Sequence, residues 1–168
     1  MIISKKSLGQ NFLIDQEIIQ KIVNLIEIKD NEILEVGPGT GNLTSEILKK
    51  NPKKLYLIEK DNKLSKLLND KFDKQITLFN DDILNFNEQS LSKNQITVFG
   101  NLPYNISTEI LCKWIINLKS EFCWFSQLIL MFQKEVADRI VANFNTSAYG
   151  RLAILTNWRL KVKKICDI

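Results

Sequence analysis

Apolar positions along this chain switch repeatedly between two spacings. Ile18, Ile19, Ile22, Val23 and Ile26 recur at the three-and-four spacing of a helix face. Asp30-Asn31 breaks that pattern, and Glu32–Val36 follows as a short strand. Leu43, Ile47 and Leu48 mark a second helix that ends at Asn51-Pro52. The alternation then predicts a strand over Lys54–Ile58, a helix over Asn62–Leu68 and strands over Ile76–Phe79 and Ile96–Phe99. A helix over Ile106–Leu118 carries Ile110, Leu111, Trp114 and Ile115. The unbroken apolar run Leu128–Phe132 reads as a strand buried on both faces. Helices are expected over Lys134–Asn143 and Ala148–Leu160, and Val162–Ile165 reads as the start of a further strand. Strands alternating with helices imply right-handed βαβ crossovers. The expected fold is therefore α/β and Rossmann-like, a mostly parallel sheet with helices on both faces.

Ligands on such sheets sit beyond the carboxyl ends of the strands, and the unusual residues of this chain gather there. Gly37-Pro38-Gly39-Thr40-Gly41 joins the first strand to a helix. Gly37 and Gly39 permit a tight turn and close backbone approach to a ligand. A dinucleotide fingerprint would carry its third glycine where Asn42 stands, and a phosphate-binding P-loop would carry a lysine after Gly41. The loop does not look built for a pyrophosphate. Glu59 ends the second strand, 22 positions after Gly37, near the offset at which an acid meets a ribose hydroxyl pair. Asp82 follows the third strand and could accept a bond from an adenine amine. Each acid alone is as readily a helix N-cap. In this order they describe a pocket for an adenosine without phosphates, as in S-adenosylmethionine (SAM).

Asn101-Leu102-Pro103-Tyr104 follows the fourth strand. An adenine exocyclic amine is a poor nucleophile, because its lone pair is delocalised into the ring. The side-chain oxygen of Asn101 and a nearby backbone carbonyl could accept its two N–H bonds and draw the nitrogen toward tetrahedral geometry. Pro103 removes a competing N–H and stiffens the loop. Tyr104 offers a face on which a flipped-out base stacks, typically worth ~1–3 kcal/mol. Positioning does most of such work, and neither a metal nor a strong base is required. The competing structural reading is a proline turn with a core tyrosine.

Composition narrows the field further. Apolar residues make up 45% and charged residues 25% of 168 residues, which suits one domain with a proper core. No apolar run approaches membrane-spanning length, and Ser4-Lys5-Lys6 cuts short any secretory signal. The absence of histidine excludes imidazole catalysis and most zinc sites. Cys112, Cys123 and Cys166 form no C-x-x-C pair and read as thiols of a reducing cytoplasm. A net charge of +4 suits a polyanionic partner without requiring one.

Five segments occur in the order of a known family: Leu8–Leu13 (LGQNFL), Glu35–Thr44 (EVGPGTGNLT), Asn101–Ser107 (NLPYNIS), Gln133–Ala137 (QKEVA) and Tyr149–Leu152 (YGRL). Together they closely resemble the KsgA-type rRNA adenine N6,N6-dimethyltransferases, over essentially the whole chain. The resemblance implies a class I SAM-dependent methyltransferase that dimethylates two adjacent adenines of small-subunit rRNA in the cytoplasm. Its partner would be the immature small ribosomal subunit, with no metal and no membrane, and it would be monomeric at full length. It implies that Asn11 and Leu13 lie over SAM, that Gly37 contacts it, that Glu59 holds the ribose and Asp82 the adenine, and that Asn101 borders substrate. Phe12 reads as an anchor for the arm. Lys5, Lys6, Lys134, Arg139, Arg151, Lys161, Lys163 and Lys164 are candidate phosphate contacts, and the plain alternative is a solvated surface. Residues 1–168 would form the SAM-binding domain, and the family's C-terminal helical substrate domain would be absent. Two other readings are a large-subunit rRNA methyltransferase of the antibiotic-resistance type and a non-catalytic nucleic-acid-binding paralogue. Leu8-Gly9-Gln10 and Leu102 favour the small-subunit reading over the first, and intact Asn101, Pro103 and Tyr104 oppose the second.

Overall fold

The structure, a computed structural model, describes residues 11–118 and 123–167. Five parallel strands form one sheet in the order β3-β2-β1-β4-β5. They are β1 (Glu32–Val36), β2 (Lys54–Ile58), β3 (Thr77–Phe79), β4 (Ile96–Asn101) and β5 (Phe125–Met131). Helices α1 (Gln16–Val23), α2 (Asn42–Lys49), α3 (Asn62–Phe72), α4 (Ser107–Ile116), α5 (Lys134–Ile140) and α6 (Arg151–Arg159) complete the chain. The expected parallel α/β sheet is therefore present.

Strand side chains alternate between two cores, as the period of two requires. Ile33, Leu55, Leu57 and Phe99 face α1, α2 and α3, meeting Ile19, Ile22, Ile47, Leu68 and Phe72. Leu34, Val36, Tyr56, Ile58 and Val98 face the other way, against Ile110 and Trp114 of α4 and Trp124. A third cluster joins Leu111 and Ile115 of α4 to Ile140 and Leu152 of α5 and α6. Helices thus cover both faces.

Several boundaries differ from expectation. Helix α1 stops at Val23 rather than Ile26, while Asp15 caps its start by accepting from the Glu17 and Ile18 amides. Helix α3 runs on to Phe72, because Leu64, Leu68 and Phe72 continue one buried stripe past the polar residues 69–71. Helix α5 ends at Ile140, and Asn145 (φ 69°) then turns the chain. Helix α6 begins at Arg151, because Gly150 is extended and cannot continue a helix backwards to Ala148. Strand β5 begins at Phe125 and is not buried on both faces: Ser126 and Gln127 are exposed and Leu128–Met131 half-buried. Among the described strands it pairs only with β4, so it lies at an edge. Val162–Ile165 forms no strand, because no described strand pairs with it.

Candidate functional site

The strand order reverses between β1 and β4, and the carboxyl ends of strands at such a reversal are where ligands of these sheets sit. Gly37 follows β1 and Asn101 ends β4, so the two predicted loops become the walls of one cleft. Their approach is close. A Cβ on Gly37 would stand 3.0 Å from the carbonyl oxygen of Asn101, and φ at Gly37 is 70°. Both facts require glycine. Gly39 also has positive φ (59°), and a Cβ there would stand 2.9 Å from the ring of Phe12. Residues 11–13 therefore lie across the glycine loop, with Phe12 seated on it.

The cleft is lined by Leu13, Gly37, Gly39 and Asn101, together with Phe12, Glu35, Asn42 and their neighbours. Four of the predicted cofactor residues thus come together. Asn11 reaches them by accepting, at its carbonyl, a 2.6 Å bond from Nδ2 of Asn101. That bond engages the Asn101 nitrogen and leaves its side-chain oxygen to serve as an acceptor. Pro103 sits behind Gly37, with Cδ 4.0 Å from the position of the added Cβ. Tyr104 is half-buried, and its carbonyl accepts from Oγ of Ser107 at the start of α4.

Glu59 is buried (7% exposed) and joins the loop directly: Oε2 accepts from the Gly39 amide at 3.2 Å and Oε1 from the Asp61 amide at 2.9 Å. Burial pushes its carboxyl above the usual range, against the pull of those two amides. Glu59 is not the cap of α3; Asp61 is. Asp82 lies outside the lining of the cleft. It accepts from the Leu84 amide at 3.0 Å and from Nζ of Lys60 at 2.7 Å. The Lys60 bond holds its carboxyl below the usual range. Asp82 therefore does serve as the cap of a local turn, beside whatever it offers a ligand.

Two residues of the cleft, Glu35 and Asn42, carry chemistry that spacing did not single out. Glu35 is 2% exposed, accepts from Oγ1 of Thr44 at 2.7 Å, and is pushed up to about 7, mainly by burial. A carboxylate inside a strand buried along its whole length was the available signal. Asn42 is placed by the start of α2, and its partner, the Leu13 carbonyl, lies 29 residues away, where sequence spacing does not point.

The proposed basic face is partly engaged elsewhere. Lys134 and Lys164 each pair with Asp138 at 2.9 Å, and Lys164 also with Asp167 at 2.7 Å. Lys5 and Lys6 lie outside the described residues, as do Leu8, Gly9 and Gln10. No described helix is long and apolar enough to cross a membrane.

Comparison with known proteins fits this geometry. Residues 2–168 match the family described as ribosomal RNA adenine dimethylase. Ribosomal RNA small subunit methyltransferase A from Pelagibacter ubique is 62% identical over 165 residues, spanning 98% of this chain and 63% of that protein. The chain therefore spans under two thirds of that relative. Among solved structures, a dimethyladenosine transferase from Plasmodium falciparum superposes with a TM-score of 0.74 at 30% identity, over 88% of this chain and 52% of that one. The 23S rRNA methyltransferase ErmE superposes with a TM-score of 0.69 at 25% identity, over 87% of this chain and 57% of that one. The fold is the Rossmann-like class I methyltransferase fold.

Proposed function

This chain belongs to the ribosomal RNA adenine dimethylase family, and from that premise we propose that residues 1–168 form the SAM-binding catalytic domain of a small-subunit rRNA adenine N6-dimethyltransferase. The observation that carries the reading is the meeting of Gly37 with the Asn101 backbone at the strand-order reversal. It sets a glycine cradle and an amide acceptor on facing walls of one cleft. The donor set suits an adenosine without phosphates: a buried carboxylate at Glu59, open glycine backbone, and asparagine rather than lysine directly after Gly41.

SAM would supply the transferable methyl group. Glu59 would hold its ribose and Asp82 its adenine, with Gly37, Gly39, Leu13 and Asn11 closing around it. Asn101 would accept an N–H bond from the target amine through its side-chain oxygen, which favours a nitrogen with a localised lone pair. Pro103 would keep the loop rigid, and Tyr104 would stack on the extruded base. The partner would be rRNA of the immature small subunit, and the compartment the cytoplasm.

The test is labelled methyl transfer from SAM to unmethylated small subunits and, separately, to large-subunit rRNA. Label on adenine N6 of the small-subunit rRNA supports the reading. Label confined to large-subunit rRNA assigns the chain to the other substrate, and SAM binding without transfer to either, by a version extended to the full length of the relatives, overturns the catalytic assignment.

A further inference from the structure

We propose that Asn42 is a positioning residue for the cofactor, acting through Leu13. The inference rests on the SAM reading above and adds to it a residue for which neither the glycine loop nor the acids account. Asn42 is the first residue of α2, directly after Gly41, and it lines the cleft. Its Nδ2 donates to the carbonyl oxygen of Leu13 at 2.9 Å, across 29 residues of sequence. The arm is thereby held at two points two residues apart, Asn11 by Asn101 at 2.6 Å and Leu13 by Asn42. Between them Phe12 rests on Gly39.

The two amides divide the work. Asn101 ties the arm to β4 and Asn42 ties it to α2, so the arm bridges the strand-order reversal. Both ties run to backbone carbonyls, so they fix the path of the chain whatever side chain the arm carries there. Leu13 is half-buried and packs on the α1–α2 core. That packing limits how far the arm can shift along the cleft, and the Asn42 bond sets its height. Without the bond, the Leu13 side of the cleft loses its roof while the loop and Glu59 stay in place.

The experiment compares the unsubstituted chain with Asn42→Ala, Asn42→Asp and Asn42→Gln. Asparagine here has no capping bond to lose, because Gly41 is the cap of α2 and makes none by side chain. An aspartate at the helix start is electrostatically favourable to α2, so Asn42→Asp removes the donor without weakening the helix. Two readouts are taken: chymotryptic cleavage after Phe12 in the unliganded protein, followed by mass spectrometry, and the calorimetric Kd for S-adenosylhomocysteine. Asn42→Ala and Asn42→Asp should be cleaved faster after Phe12 and bind about 3- to 10-fold more weakly, the loss expected of one hydrogen bond. Their thermal midpoints should stay near that of the unsubstituted chain, and Asn42→Gln, which keeps an amide donor, should recover part of both effects. Faster cleavage with unchanged Kd would show that the arm is no part of the site and overturn the proposal. Unchanged cleavage would show that Asn42 does not hold the arm and overturn it equally. Glu59→Ala is the control for the underlying reading: if the unsubstituted chain binds and Glu59→Ala binds as well, the cofactor assignment fails, whatever Asn42 does.

Discussion

Glu35 is the residue whose environment most alters its chemistry. Its carboxyl titrates at about 7 because it is buried, with the nearby Glu59 charge adding to the rise and the Thr44 hydroxyl opposing it. Between the ordinary carboxylate value and about 7, the folded protein holds a proton that the unfolded chain releases. Stability is therefore fullest at low pH for this group and falls as pH rises through that window. Glu35→Gln should remove the Glu35 share of the slope, leaving that of Glu59, and stabilise the protein at pH 8, by as much as about 3 kcal/mol. Urea melts of both proteins from pH 5 to 8 check it, and parallel curves would refute it. For Asn101 the proposed role predicts a loss in turnover, because its oxygen would bond the amine most strongly as the nitrogen becomes tetrahedral. In a version extended to the full length of the relatives, Asn101→Ala should lower kcat on the order of 100-fold with a smaller change in KM for SAM. Initial rates at saturating rRNA decide it, and a loss of only a few-fold removes Asn101 from its role. Glu59 and Asn101 were legible because strand ends follow from pattern. The bond from Asn101 to Asn11 spans 90 residues, and no local spacing reports it.

Between elements, one buried strut ties α4 to the loop after β3. Lys113 Nζ donates to the carbonyls of Ile83 and Phe86 at 2.6 Å and to Glu88 Oε1 at 2.8 Å, while Trp114 Nε1 donates to the same carboxylate oxygen at 2.6 Å. Glu88 is 4% exposed, so its charge is tolerable only with these partners. Lys113→Met should destabilise by about 3 kcal/mol, the cost of leaving a buried carboxylate without its cation. It should also loosen the turn that presents Asp82. Thermal unfolding measures the first effect, and a change under about 0.5 kcal/mol, the range of an ordinary surface substitution, would refute it. Strands β1 and β2 were legible to the residue, because both are apolar runs bounded by breakers. Strand β5 was legible as a strand but not as an edge, because apolar content does not say which neighbours a strand has. Val162–Ile165 begins and ends on β-branched residues, yet a strand exists only with a partner, and propensity cannot supply one. Helix α3 outran its expected end because Phe72 follows three polar residues, which hid the last step of its stripe.

For the whole molecule, charge and topology matter most. A net charge of +4 and pairing of Lys134 and Lys164 with Asp138 leave the proposed binding to rRNA dependent on a limited set of phosphate contacts. Affinity for small-subunit rRNA should fall linearly in log–log form with salt, with a slope set by the number of counterions released. Filter binding at several salt concentrations measures that slope, and an affinity indifferent to salt removes the basic face from the proposal. The alternation of strands and helices foretold a parallel sheet but not its order. Whether β4 joins β3 or crosses back to β1 depends on a crossover that no residue pattern marks. The crossing has a kinetic consequence. Strands β1, β2 and β3 can assemble by successive short crossovers, and so can β4 with β5, but Leu34 finds Val98 only when the two sets join. That closure spans a long loop and is the slow kind of contact. The cleft lies on this seam, with Gly37 on one side and Asn101 on the other. Neither half alone holds a binding site, so a ligand seated there recognises only the closed sheet, and it prolongs the folded lifetime by keeping the seam shut.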